Sequence, residues 1–326
     1  MPNLTGKQIV LEMLKAEGVK YVFGNPGTTE MPLIDALQDF PDIKYITTLQ
    51  EASALGMADG YARATGRPAF VNVHVSAGLA NAAGNLYNAY RGGTPLVVTA
   101  GQSDTRQLLQ EATLWSDMSQ WIAPFTKWAA EIINTGDLPM ALRRAFKVAK
   151  TPPTGPVFLS LPWNVLDTTA EVDLIPSSQG YHRLRPDTAA IEKAVKLLAR
   201  AENPILLVGD RIAQSQAVQE AVAVAELLGA RVFALSYSEV NFPTSHSQFF
   251  GQLNTGWPGP GIRKTLDSAD VILVAGADMF SQFTYTPQPL LGNRNKVIHL
   301  DTSSWEVEKN FPVTVGVVAD PKAGLK

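Results

Sequence analysis

Short apolar runs and amphipathic stretches succeed one another along the chain, separated by turn residues. Thr5-x-x-Gln8 has the form of a capping box; Ile9, Met13 and Leu14 recur behind it at helical spacing, and Gly18 is placed to end that helix. Tyr21-Val22-Phe23 predicts a buried strand running into Gly24-Asn25-Pro26-Gly27. A helix is expected around Met31 to Leu37, a second strand at Tyr45-Ile46, and a helix from near Glu51 to about Ala64, closed by Gly66. Ala69 to His74, with β-branched Val71 and Val73, predicts a third strand, and the small residues from Ser76 to Gly84 open the next helix. Pro95 to Ala100 reads as a fourth strand and Val157-Phe158-Leu159 as a fifth or sixth. Strands alternating with helices imply a parallel sheet covered on both faces.

Residues 167–189 change character. Asp167-Thr168-Thr169 and Pro176-Ser177-Ser178-Gln179-Gly180 are polar and aperiodic, which predicts an interdomain linker. A second α/β pattern follows: strands at Ile205 to Asp210, Arg231 to Leu235, Val271 to Ala275, Val297 to Leu300 and Val315 to Val318, with a helix from Ala217 to Leu228 closed by Gly229. Only a stub of helix follows the last of these strands. The expected fold is α/β, with two doubly wound parallel-sheet domains over residues 1–180 and 181–326. A length of 326 residues agrees with two domains.

Composition narrows the function classes. The chain is 45% hydrophobic and 17% charged, with a net charge of −3 and no cysteine. Disulfides and cysteine-based zinc sites are thereby excluded, and no basic surface suggests nucleic acid as a partner. His74, His182, His246 and His299 are isolated in sequence, so spacing gives no metal site. The N-terminus lacks a basic segment followed by an apolar one, and no apolar run approaches the ~20 residues that span a bilayer. The expectation is a cytoplasmic protein with no membrane partner.

Four segments could carry chemistry. Gly24-Asn25-Pro26-Gly27 is either a tight turn or a ligand contact at the carboxyl end of a strand, and it matches neither a phosphate loop nor a dinucleotide fingerprint. Glu51 is either a first-turn acid facing the helix dipole or, among Ala52, Ala54, Leu55, Gly56 and Ala58, a partly buried carboxylate; burial without a counter-charge would raise its pKa. His74 ends a strand where such sheets bind ligands, and it could equally be a core histidine held by one hydrogen bond. The small residues from Ser76 to Gly84 serve helix packing or allow close approach of backbone to a flat ligand.

In order, these segments resemble the N-terminal part of the thiamine-diphosphate decarboxylase and acetohydroxyacid synthase superfamily. The motifs are Gly18 to Glu30 with Asn25-Pro26-Gly27, then Gln50-Glu51-Ala52, Ala58-Asp59-Gly60-Tyr61-Ala62, His74 with Ser76-Ala77-Gly78 and Asn81, and Thr94-Pro95-Leu96-Val97. The likeness is strong through residue 102 and weaker beyond. Within the superfamily it points to the benzoylformate decarboxylases, which have serine where Thr28 stands; the Glu111 to Phe125 segment, which would line the pocket, also differs.

The resemblance implies a pyrimidine-binding domain followed by a Rossmann-like middle domain, with Asn25, Pro26, Gly27, Glu51, Gly78 and Asn81 at the cofactor. Thiamine diphosphate loses its C2 proton and then serves as electron sink for a 2-oxo acid that releases carbon dioxide. Glu51 would hydrogen-bond the pyrimidine nitrogen, His74 would act as general acid, and Thr28 would bind the substrate carboxylate or hydroxyl. No metal ligand is expected from this chain. Magnesium would be held by a C-terminal diphosphate-binding domain whose Gly-Asp-Gly and Asn-Asn motifs do not stand in these residues, so the isolated chain is expected to be inactive. That domain would come from a second subunit of a dimer or tetramer, or from a separate chain. No sequence feature settles FAD, and it is not expected. The alternatives are an acetolactate-synthase-like carboligase and a non-catalytic binding or assembly subunit.

Overall fold

In the computed structural model the described residues are 1–178, 183–235, 238–257, 259–287, 289–292 and 294–326. Of the expected linker, Gln179 and Gly180 lie outside them, as does His182. The chain divides into two compact units, Met1–Gly180 and Tyr181–Lys326.

The strands of the first unit are β1 (Asn3–Thr5), β2 (Tyr21–Asn25), β3 (Lys44–Thr47), β4 (Ala69–Val73), β5 (Leu96–Gln102), β6 (Ala129–Glu131), β7 (Val157–Pro162) and β8 (Thr169–Glu171). Its helices are α1 (Gly6–Ala16), α2 (Met31–Ala36), α3 (Glu51–Thr65), α4 (Val75–Gly92), α5 (Met118–Ile122), α6 (Leu138–Lys150) and α7 (Trp163–Asp167). Six strands form one sheet in the order β3-β2-β4-β5-β7-β6, every pairing parallel. The chain runs from β2 outward to β3 and returns past β2 to β4. That reversal opens a crevice at the carboxyl ends of β2 and β4, where sheets of this kind bind ligands. Asn25 pairs with Val73, so the residue after β4, His74, leaves the sheet beside the end of β2.

Every residue of β4, β5 and β7 is buried, which explains why these strands read as mainly apolar runs broken only by Asn72, Thr99, Gln102 and Ser160. Side chains alternate between two cores. Phe70, Val97 and Leu159 pack with Ile9, Leu14, Leu142 and Phe146 of α1 and α6. Val71, Val98 and Phe158 pack with Leu55, Ala58, Leu79 and Leu86 of α3 and α4. The predicted start of α1 holds: the Gln8 side chain accepts from the Thr5 N–H at 3.0 Å and from its hydroxyl at 2.9 Å.

The structure corrects the linker. Thr169–Glu171 is not part of it, because β8 pairs antiparallel with β1, register Asn3↔Glu171. Three-residue strands at opposite ends of a domain are too short to show a period of two. At the other end of the predicted linker, Thr188 already belongs to helix α8 (Thr188–Leu198). Between β5 and β7 the structure also adds β6 and α6.

In the second unit α8 precedes β9 (Ile205–Val208), α9 (Asp210–Gln214), α10 (Val218–Leu228), β10 (Arg231–Ala234), β11 (Phe249–Gln252), α11 (Pro260–Asp267), β12 (Val271–Ala275), β13 (Lys296–Asp301), β14 (Val315–Val318) and α12 (Pro321–Gly324). Its parallel sheet has the order β11-β10-β9-β12-β13-β14, a doubly wound Rossmann-type arrangement. β11 is an edge strand of half-exposed residues that carries no apolar run, so nothing in its composition announces it. At the reversal between β9 and β12, Arg211 bridges Asp301 at 2.8 Å and Asp278 at 2.6 Å. Burial pushes the Asp301 carboxyl up to about 6 against the pull of Arg211. Among the described residues no helix is long and apolar enough to cross a membrane.

Phe158, on β7, is fully buried between the first sheet and its helices α3 and α4, so Phe158→Ala is expected to destabilise this unit by about 3–5 kcal/mol. Denaturant titration checks this; a loss within experimental error would contradict the described core.

Candidate active site

Three chain segments meet at the crevice of the first sheet. The first leaves β2 at Asn25, passes Pro26 and Gly27, and forms a 3-10 turn over Thr28–Glu30 before α2. The second leaves β3 and turns into α3. The Thr48 N–H and hydroxyl both donate to the Gly24 carbonyl, at 2.9 and 3.3 Å, and the Gln50 side chain caps the helix by accepting from the Ser53 N–H. The third leaves β4 and starts α4, with His74 as its N-cap residue.

Glu51 opens α3 and is 6% exposed. Its two carboxylate oxygens are each held by a carboxamide: Asn25 Nδ2 donates to Oε1 and Asn81 Nδ2 to Oε2, both at 3.0 Å. Gly78 of α4 lies against the same carboxylate, and a Cβ there would come to 3.0 Å from Glu51 Oε1. Asn85 Nδ2 adds a bond to the Ala52 carbonyl at 2.7 Å, tying α4 to the first turn of α3. The structure thus gathers four of the sequence-predicted residues, Asn25, Glu51, Gly78 and Asn81, around one group.

The ionisation of Glu51 differs from the expectation. Burial does push its carboxyl up, but the Asn81 amide, the residue's own backbone N–H, the Asn25 amide and the charge of His74 together outweigh it, leaving the pKa below the ordinary glutamate value. Burial without compensation was the premise; here hydrogen-bond donors to the charged form supply that compensation.

His74 meets a different set of groups. Its Nδ1 lies 2.7 Å from Glu30 Oε2 and 3.4 Å from Thr29 Oγ1. Gly27 backs the imidazole so closely that a Cβ there would overlap the ring, a steric reason for glycine at that position. Pro26 is partly buried in the chain between the two groups. Thr28 is exposed, and its side chain makes no hydrogen bond among the described residues; its neighbour Thr29 is the threonine that approaches His74.

Glu30 was not singled out by its sequence position, although it is 1% exposed. The signal available was Gly27-x-x-Glu30, the spacing at which a side chain reaches back to the first N–H of a turn, and Glu30 Oε2 does accept from the Gly27 N–H at 2.9 Å. A second polar chain was also missed. Ser76 Oγ lies 2.6 Å from Ser116 Oγ, which accepts from Trp121 Nε1, and buried Gln102 donates to the Ser116 carbonyl. These bonds fasten the segment after β5 to the first turn of α4. A cavity of about 1040 Å³ opens beside Thr29, lined also by Asp104, Arg106, Ala112, Thr113, Trp163 and Asn164.

Residues 4–120 match the family profile described as the N-terminal TPP binding domain of thiamine pyrophosphate enzymes, and residues 191–326 match that family's central domain. This chain belongs to the thiamine pyrophosphate enzymes. Benzoylformate decarboxylase of Pseudomonas aeruginosa is 39% identical to it over 281 residues, covering 85% of this chain and 52% of that protein. The acetolactate synthase large subunit of Haemophilus influenzae is 29% identical over 337 residues, covering 100% and 57%. Among solved structures, benzoylformate decarboxylase from Polynucleobacter necessarius superposes with a TM-score of 0.90 at 34% identity, over 98% of this chain and 60% of that one. The 4-hydroxybenzoylformate decarboxylase of Rhodococcus jostii RHA1 does so with a TM-score of 0.90 at 33% identity, over 99% and 61%. This thiamine pyrophosphate enzyme chain spans about half the length of the curated relatives it matches.

The Glu51 geometry predicts a pH signature. A carboxylate with a depressed folded pKa contributes stability that is fully present above its unfolded value and is lost as pH falls through the folded value. Asn81→Ala removes one donor, so the Glu51 carboxyl is expected to titrate at higher pH in this variant. The stability deficit, about 1 kcal/mol at neutral pH, is expected to shrink in acid. Carbon-detected titration of the Glu51 carboxyl, with denaturation at neutral and acid pH, checks both; an unmoved titration would contradict the role of Asn81.

Proposed function

We propose that this chain supplies the pyrimidine-side half of a thiamine-diphosphate active site that decarboxylates a 2-oxo acid of the benzoylformate type. The observation that carries the reading is the buried Glu51 carboxylate, fixed by Asn25 and Asn81 in the crevice between β2 and β4 with Gly78 against it. A flat, nitrogen-bearing ring suits this place. Glycine leaves room for a ring to approach, and a carboxylate with lone pairs to spare is aimed by two donors that cannot themselves accept through the same nitrogen. Residues 1–180 then act as the pyrimidine-binding domain and residues 181–326 as the middle domain.

When bound, the cofactor supplies an electron sink for the carbon–carbon bond that breaks. The work of this chain is to orient it and to move protons. Glu51 would hydrogen-bond the pyrimidine ring nitrogen; Asn25 and Asn81 hold Glu51; Gly27 and Pro26 would shape the wall beside it. His74, at the mouth of the same crevice, donates a proton to the substrate carbon side, and exposed Thr28 meets the substrate carboxylate. Magnesium takes oxygen ligands together with phosphate oxygens, and a diphosphate-binding domain facing this crevice would hold it with the diphosphate.

A carboligase of the acetolactate-synthase kind is the second reading, favoured by the match to such a large subunit along the whole of this chain. The two differ in product: an aldehyde in one case, a new carbon–carbon bond between two 2-oxo acids in the other.

The experiment is carbon dioxide release from benzoylformate and from pyruvate by the enzyme assembled with its diphosphate-binding domain. Benzoylformate is expected to be the better substrate, and Glu51→Gln to lower kcat about 100-fold or more, the scale of a lost proton-transfer partner. Unchanged turnover in Glu51→Gln would remove Glu51 from the chemistry, and acetolactate as the main product would favour the second reading.

A further inference from the structure

Four donors and one imidazole nitrogen converge on the carboxylate of Glu30. Oε1 accepts from the Gly101 N–H at 2.7 Å, the Thr29 hydroxyl at 2.9 Å and the Val75 N–H at 3.4 Å. Oε2 accepts from the Gly27 N–H at 2.9 Å and faces His74 Nδ1 at 2.7 Å. The three backbone groups come from the ends of β2, β4 and β5, so one side chain joins all three strand ends beside the crevice.

The position of one proton follows from this count. Backbone N–H groups only donate, and the single Thr29 hydrogen is spent on Glu30. A carboxylic O–H turned towards Oε1's neighbours would meet hydrogens on every side. Oε2 also receives the Gly27 N–H, and with four donors on the carboxylate the proton shared between Oε2 and Nδ1 is assigned to nitrogen. Thr29 Oγ1, 3.4 Å from the same nitrogen, has only a lone pair left to offer it, which favours Nδ1–H again. The other ring nitrogen, Nε2, makes no hydrogen bond among the described residues, and the His74 side chain is 25% exposed.

We propose that Glu30 is a positioning residue that holds His74 in the Nδ1–H tautomer, leaving Nε2 as the nitrogen that takes up a proton from solvent to give the imidazolium and passes it to bound substrate. A neutral histidine in water prefers the opposite tautomer, so the arrangement is imposed by the protein. The same carboxylate accepts from the N–H of Val75, a β-branched residue held at φ +40°, a conformation that persists only where its surroundings fix it. The catalytic consequence rests on His74 being the proton-transfer group proposed above; the tautomer does not, and it is measurable without cofactor.

The test is long-range proton–nitrogen correlation NMR on this chain with nitrogen-15-labelled histidine, His74 being assigned by its loss in His74→Asn, at alkaline pH where the rings are neutral. The wild type is expected to show a pyrrole-type Nδ1 and a pyridine-type Nε2, favoured about tenfold or more, as a charge-assisted bond requires. In Glu30→Gln the carboxamide oxygen takes the place of Oε1, where three donors wait, and its nitrogen faces His74; the pattern is then expected to reverse to Nε2–H. Unchanged amide dispersion and unchanged patterns for the other histidines show that the fold is kept. An Nε2–H pattern in the wild type overturns the proposal, as does an unreversed pattern in folded Glu30→Gln. If Glu30→Gln does not fold, the wild-type pattern decides alone. A correct tautomer in an assembled enzyme that keeps full activity without the His74 imidazole would refute only the catalytic consequence.

Discussion

A carboxylate withdrawn from water must find donors, because an unpaired buried charge costs several kcal/mol. Glu51 finds them in Asn25 and Asn81, one for each oxygen. That requirement couples three parts of the chain that are far apart in sequence: the last residue of β2, the first residue of α3 and the second turn of α4. It also explains the small residues around them. Gly78 lies against the carboxylate, and the alanines of α3 and α4 let both helices sit close to the sheet. The crevice is created by the reversal of strand order between β2 and β4, and the polar triad of Asn25, Glu51 and Asn81 gives it a chemical character.

The site holds two carboxylates with different surroundings. Glu51 is held by neutral amides and keeps room for a further partner. Glu30 is saturated by donors and by the His74 ring. The first is arranged to meet a ligand and the second to hold protein groups in place. Under the proposed function, the first would face the cofactor and the second would fix a histidine, so proton positions would matter at both the cofactor and the substrate.

Much of this was legible in the sequence, for physical reasons. Strands buried on both faces announce themselves as mainly apolar runs, unbroken in β12 and with few polar residues in β4 and β5. The helix stops at Gly66 and Gly229 are legible because left-handed caps favour glycine. Asn25, Glu51, Gly78 and Asn81 were named from ordered motifs, and they converge on one group. Other features leave no local trace. β1 and β8 exist only through each other; Glu30 looks like a surface acid until the fold brings Gly101, Val75 and His74 to it. The ionisation of Glu51 was misjudged because sequence neighbours reveal burial but not the two amides that arrive from other segments. The approach of Thr29 to His74 is hidden in the same way: a 3-10 turn decides which of two adjacent hydroxyls faces inward.

The central claim is that the Glu51 carboxylate is the group that meets the pyrimidine ring nitrogen. Nitrogen-15 NMR of thiamine diphosphate labelled at that ring nitrogen, bound with magnesium to this chain assembled with its diphosphate-binding domain, tests it most directly. Its resonance is expected to move towards the protonated position in the wild-type assembly and to stay in place with Glu51→Gln. An equal movement with both proteins, or none with the wild type, would contradict the account.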